Sequence, residues 1–173
     1  MYYFAYGSNM LTARLARRVP QLVPVGPAWL PGHRLSFDLR GGDGSGKCNV
    51  APAAGDDGVY GVLYELDASR LQRLHAAEGP AYEFVELDVV SDALGTVPAA
   101  VYRGRPTWLA PGLVPFKWYL RFVLAGAREH GLPTAYVREL SRRSTQRDRN
   151  PWRAWRNWRI YRHKPRNVRT RLT

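Results

Sequence analysis

The chain opens Met1-Tyr-Tyr-Phe-Ala-Tyr-Gly-Ser-Asn-Met10, and the succession of residue types in this stretch points to the fold. The aromatic-rich run up to Ala5 predicts a strand that starts almost at the terminus. Tyr6-Gly-Ser-Asn9 then breaks it, and the polar, helix-forming run Leu11 to Arg18 follows at once. A strand feeding a tight glycine turn, and the turn feeding a helix, leaves main-chain N–H groups aimed at one spot where the helix dipole favours negative charge. Ser8 or Asn9 acting simply as the helix cap accounts for the local pattern equally well. The two accounts are compatible, because a cap and an anion site use the same helix end.

Outward from this turn, strands follow one another with few helices between them. Ala28 to Leu30 and Leu35 to Asp38 read as short strands around Pro31-Gly32. Lys47 to Ala51 and Val59 to Leu66 read as a strand pair across Gly55-Asp-Asp-Gly58. Asp67 caps a helix running to Ala77, with Leu66, Leu71 and Leu74 as its apolar contacts. Tyr82 to Val90 alternates polar and apolar residues, which marks a half-buried strand, and Val97 to Tyr102 is another. Pro115 to His130 is the longest helical pattern and stops at Gly131-Leu-Pro133; Thr134 to Arg143 suits one more helix. This order predicts an α+β domain on a curved mixed sheet or small mixed β-barrel with flanking helices, and argues against a doubly wound parallel sheet.

The net charge of +12 first suggests a nucleic-acid binder, but its location says otherwise. Residues 141–173 hold twelve arginines and lysines and one acid, Asp148, which leaves only +1 on residues 1–140. The expected organisation is therefore a near-neutral domain over 1–140 and a basic, aromatic extension over 141–173. A single cysteine, Cys48, excludes an intramolecular disulfide, and His33, His75, His130 and His163 are too scattered for metal-ligand spacing. No apolar stretch is long enough to span a bilayer, and the N-terminus lacks a signal-peptide layout. These features place the chain in the cytoplasm.

Several candidate sites are weak on their own residues. Gly41 to Lys47 is glycine-rich but lacks the Gly-Lys-Ser/Thr ending before a helix, so it is not a nucleotide loop. Cys48 falls in a strand, where a buried, inert thiol is expected. Ser8 with His75 lacks the Gly-x-Ser-x-Gly elbow of an acyl-transfer pair. Glu78 follows a helix and precedes Gly79-Pro80, with Tyr82 and Phe84 close by. Local sequence reads it as a solvated turn residue; partial burial would instead suit it to proton transfer.

Four blocks taken in order change that balance. They are Phe4-Ala-Tyr-Gly-Ser-Asn-Met10; Gly46-Lys-Cys-Asn-Val-Ala-Pro52 with Val59-Tyr-Gly-Val-Leu-Tyr64; Ala77-Glu-Gly79; and Gly126-Ala-Arg-Glu-His-Gly-Leu-Pro133 with Tyr136. Together they resemble the gamma-glutamylcyclotransferase family, AIG2-like proteins included, over about residues 1 to 140. Cys48 and Asn49 stand where less polar residues would be expected. The resemblance implies a small barrel with a pocket at its mouth. It implies an enzyme that converts a gamma-glutamyl amide into 5-oxoproline and a free amine, with no metal or organic cofactor. Residue by residue it implies Tyr6, Gly7, Ser8, Asn9 and Met10 as the substrate-binding loop, Glu78 as general acid/base, and Tyr82, Tyr102 and Tyr136 as pocket walls. Glutathione, gamma-glutamyl dipeptides, gamma-glutamylamines and gamma-glutamyl-protected intermediates share the reacting half, and the choice among them stays open, as does a homodimer.

The extension carries a separate signal. Trp152, Trp155, Trp158 and Tyr161 recur every three residues, with Arg153, Arg156, Arg159 and Arg162 one step behind. On an α-helix such a step drifts by about 60° per repeat, so a polyproline-type or 3₁₀ ribbon with one aromatic and one cationic edge is expected. Its candidate partners are the protein itself or a second subunit, with indoles packed inward and arginines stacked on them, ahead of nucleic acid or an anionic membrane. The rival function is an inactive barrel whose tail binds polyanions.

Overall fold

In the computed structural model, which describes residues 1–162, five strands close into a barrel and a two-stranded hairpin stands beside it. The elements are β1 (Tyr2–Ala5), α1 (Thr12–Leu15), β2 (Val23–Pro31), β3 (His33–Arg40), β4 (Gly46–Pro52), β5 (Gly58–Glu65), α2 (Ala68–Glu78), β6 (Tyr82–Ser91), β7 (Gly95–Gly104), α3 (Lys117–Glu129), α4 (Thr134–Ser141) and α5 (Pro151–Arg162), with 3₁₀ turns at Ser8–Met10 and Pro106–Trp108.

The barrel order is β1-β5-β2-β6-β7, and β7 returns to pair with β1 in parallel, Tyr2 opposite Ala99 and Tyr3 opposite Ala100. The other barrel pairs are antiparallel, so the sheet is mixed. β1 is bonded on both edges and buried from Tyr3 to Ala5, which explains an apolar run without alternation. Phe4, fully buried, contributes about 2–3 kcal/mol by leaving water. β6 alternates as expected from Phe84 onward, since Val85, Leu87 and Val89 pack inward and Phe84, Glu86, Asp88 and Val90 lie on the other face.

One expected pairing is not made. β4 pairs with β3 and β5 with β1 and β2, so the strands flanking Gly55–Gly58 do not pair with each other. The link from Ala53 to Asp57 carries the chain between two sheets, and glycines flanking it do not reveal which partner each strand takes.

Two features position the N-terminal turn. Asp67 caps α2 as expected, accepting from Arg70 N at 2.9 Å, and α2 ends at Glu78 three residues before β6. On the other side, α3 packs against the Ser8–Met10 turn, and Gly126 permits the approach. A Cβ there would lie 2.3 Å from Leu11 N and 2.4 Å from Met10 C. The expected helix over Leu11–Arg18 is shorter than predicted, a single α-turn at Thr12–Leu15.

The extension forms an α-helix, not a threefold ribbon. Asp148 is its anchor: Arg153 donates Nε and Nη2 to the two carboxylate oxygens at 2.7 and 2.6 Å, and Trp118 Nε1 donates to Oδ2 at 2.9 Å. Asn157 is buried, with Ala154 and Ile160 half-buried beside it, so the small and polar side faces the body. Trp152, Trp155, Trp158 and Tyr161 are 77, 54, 41 and 47 % exposed, contrary to the expectation that the indoles turn inward. Arginines do stack on two of them, Arg121 over Trp158 at 4.1 Å and Arg159 over Trp155 at 5.0 Å. Residues from His163 onward, with Lys164, Arg166, Arg169 and Arg171, lie outside the described part. Among the described residues no helix is long and apolar enough to cross a membrane.

Candidate active site

A cavity of about 440 Å³ opens at the end of the barrel where the N-terminal turn, the end of α2, the β6–β7 hairpin and the β3–β4 hairpin meet. Tyr6, Gly7, Ser8, Asn9, Glu78, Tyr82 and Tyr102 all line it. Tyr3, Arg14, Arg18, Arg40, Lys47, Cys48 and Tyr119 line it as well, and local sequence did not single these out for the site.

Glu78 faces the cavity with its side chain 10 % exposed. Asn9 Nδ2 donates to its Oε1 at 2.5 Å and also to Tyr3 Oη at 2.9 Å. Arg18 Nη1 reaches Glu78 Oε1 at 3.3 Å and Asn9 Oδ1 at 3.1 Å. The Asn9 amide is therefore a spacer with both ends occupied, fixing the carboxylate against the turn. This contact spans 69 residues of sequence. The Ser8 and Asn9 side chains cap no helix here: Ser8 Oγ accepts from Arg14 Nε at 3.0 Å, and α1 has no side-chain cap bond. A one-turn helix also has too few aligned peptides for a strong dipole, so arginine side chains supply the positive potential expected of it.

Gly7 is set by close approach. A Cβ at this position would sit 3.0 Å from Cys48 Cβ and 3.4 Å from the Tyr119 hydroxyl. Cys48 is buried, and burial pushes its thiol up to about 12, so it stays protonated and serves as wall. Its main chain is clamped by two phenols, Cys48 N donating to Tyr119 Oη and Tyr82 Oη donating to Cys48 O, each at 3.0 Å. Tyr6 Oη donates to Tyr102 O, and the Tyr102 hydroxyl lies 2.8 Å from His75 Nδ1. Burial raises the Tyr3, Tyr6, Tyr82 and Tyr102 hydroxyls above the usual phenol range, and the Glu78 charge adds to each. They are neutral donors at physiological pH. Burial, then the neighbouring Arg18, lowers Arg14 to about 10, which leaves it a cation there.

Two predicted residues are elsewhere. Tyr136 on α4 lines a second cavity with Trp29 and Tyr60, its ring 5.2 Å from that of Tyr60, and does not reach the Glu78 cavity. Met10 is fully buried beneath the turn, its carbonyl accepting from Tyr64 Oη at 3.1 Å, and supports the site without lining it. Tyr3 could have been found from its place in the opening strand, immediately before the Phe4–Met10 signature. Arg14 and Arg18 could not, because an Arg-rich run after a turn reads as a solvated helix face.

Comparison with known proteins gives concordant results. The description of the AIG2-like family matches residues 58–140. A bovine (Bos taurus) relative named gamma-glutamylcyclotransferase is 31 % identical over 147 residues, covering 80 % of this chain and 76 % of the relative. A human (Homo sapiens) relative of the same name is 31 % identical over 146 residues with the same coverage. A solved structure named gamma-glutamyl cyclotransferase superposes with a TM-score of 0.83 over 94 % of this chain and 99 % of that one; at 24 % identity it shows shared fold.

Proposed function

The chain belongs to the gamma-glutamylcyclotransferase family and is an enzyme of that kind, and we propose that it closes a gamma-glutamyl amide on itself with Glu78 moving the protons. The substrate brings its own nucleophile, the α-amine of the glutamyl unit, which is mostly protonated at neutral pH and cannot attack. Glu78 as carboxylate removes that proton. The amine then adds to the γ-carbonyl, and because attack is intramolecular it gains from high effective molarity once the chain is folded back. The N–H groups of the Gly7–Asn9 turn and the neutral phenols beside them stabilise the developing oxyanion. Glu78 passes its proton to the leaving nitrogen as the old C–N bond breaks, then takes the surplus proton from the ring nitrogen and hands it to the departing amine, so that 5-oxoproline leaves with a neutral lactam N–H and Glu78 is again a carboxylate.

The observation that carries this reading is the 2.5 Å contact between Asn9 and Glu78, which puts a largely buried carboxylate beside a main-chain turn on one cavity wall. Domain boundaries at 1–140 and 141–173 follow from the same reading, with the site confined to the first part. The rival account, an inactive barrel binding polyanions through the extension, has the exposed indoles and arginines of α5 in its favour.

Incubation with a gamma-glutamyl dipeptide, followed by detection of 5-oxoproline, tests the first reading; a chain cut after Asn150 repeats it. Turnover in both supports the enzyme. Salt-sensitive polyanion binding with no turnover supports the rival.

A further inference from the structure

The cavity wall holds more positive charge than the protein neutralises. Arg18 shares Glu78 at 3.3 Å, and Lys47 is paired with Asp43 at 2.7 Å. Arg14 differs from both. Its Nε is used on Ser8 Oγ, and its guanidinium lies over the Phe122 ring, 4.7 Å from the centroid. Among the described residues no carboxylate pairs with it. Withdrawing a guanidinium from water is costly and Arg18 nearby adds like charge, which Glu78 offsets only from beyond ion-pair range. Its fork geometry suits a carboxylate, which it can meet with two parallel hydrogen bonds.

The turn fixes where that anion would sit. Ser8 holds Arg14, and the next residue, Asn9, holds Glu78. A cation lacking a partner and a carboxylate thus hang from consecutive residues of one turn, on one cavity. A ligand answering both carries an ammonium and a carboxylate on one carbon, which is an α-amino-acid head. We infer that Arg14 binds the α-carboxylate of the gamma-glutamyl unit and so sets the α-amine against Glu78. This rests on the proposed reaction and names the part of the substrate that the site reads. Arg40, exposed at the rim, remains for the leaving half.

A 4-aminobutanoyl amide tests it, because it lacks only the carboxylate. Its amine can still form the new C–N bond, expel the leaving amine and yield 2-pyrrolidinone in place of 5-oxoproline. The experiment compares kcat/KM for gamma-glutamyl-4-nitroanilide and 4-aminobutanoyl-4-nitroanilide in wild type, Arg14→Met and Arg14→Lys. Wild type should prefer the glutamyl compound, and Arg14→Met should cut that preference about ten- to hundredfold, chiefly through KM, with Arg14→Lys recovering part. An unchanged ratio, equal losses on both compounds, or a wild type indifferent to the carboxylate would overturn the assignment; so would an effect seen only with gamma-glutamyl amino acids. If wild type releases no amine from any gamma-glutamyl compound, the reaction itself fails. The pairing is then decided by equilibrium binding of 5-oxoproline against 2-pyrrolidinone: loss of the preference in Arg14→Met supports it, and retention overturns it.

Discussion

The barrel mouth and the C-terminal helix draw on the same residue types, arginine and large aromatics, and place them in opposite ways. At the mouth Tyr3, Tyr6 and Tyr119 are buried with their hydroxyls bonded, and Arg14 and Arg18 face a shared cavity. On α5 the indoles face outward, Trp152 at 77 % exposure, while Ala154, Asn157 and the Arg153–Asp148 pair face the body. Composition therefore does not distinguish a site from an appendage. Phenols can go inside because each hydroxyl finds a main-chain or side-chain partner in the closed sheet. On a helix the three-residue aromatic repeat drifts around the cylinder, and the face with small side chains is the one that fits closely.

The contrast makes separable demands on the two parts. Glu78→Gln should leave the fold intact and cut turnover by about 10²–10⁴-fold, read by 5-oxoproline formation; near-normal turnover would remove Glu78 from the chemistry. Asp148→Ala should act only on the helix. It strands Trp118 Nε1 and Arg153, so α5 attachment should weaken by about 3 kcal/mol, seen as faster hydrogen exchange in 151–162 with turnover retained. The same pair predicts a pH dependence. Arg153 above all holds the Asp148 carboxyl at about 2 against an ordinary 3.8. The pair's contribution is thus full above about pH 4 and is lost as pH falls through about 2.

Smaller effects follow. Gly7→Val should cost about 1–3 kcal/mol of stability, because its Cβ presses on Cys48. It should reduce kcat/KM more than Ser8→Ala, which removes one hydrogen bond to Arg14 and costs about tenfold at most. The reverse ranking in steady-state kinetics would mean that the hydroxyl, not the close main-chain approach, carries the turn. Trp152→Ala should change stability by less than about 0.5 kcal/mol, as an exposed side chain away from the body; a larger shift in the melting midpoint would show that the outward face is structural.

Much of the scaffold was legible before any coordinates. The β1–turn–helix opening, the Asp67 cap, the alternation of β6 and the stop of α3 at Gly131 are all local signals, each written in a few adjacent residues. The misses share a cause. β4 and β5 look like a hairpin locally but find partners in different sheets, and the conformation of 151–162 depends on Asp148 and Trp118, which the repeat does not contain. Tyr136 matched a motif yet packs edge-on against Tyr60 beside another cavity, because a helix residue's direction is set by how the helix packs.

The chain's own order of residues settles most of the elements and places a carboxylate at the end of α2, since backbone sterics, capping and alternation act over a handful of positions. Closure of the barrel does the rest. It brings Glu78 to Asn9, turns Arg14 toward the same cavity and sends Tyr136 away, because these contacts join residues distant in the chain and depend on which faces the packed sheet leaves open.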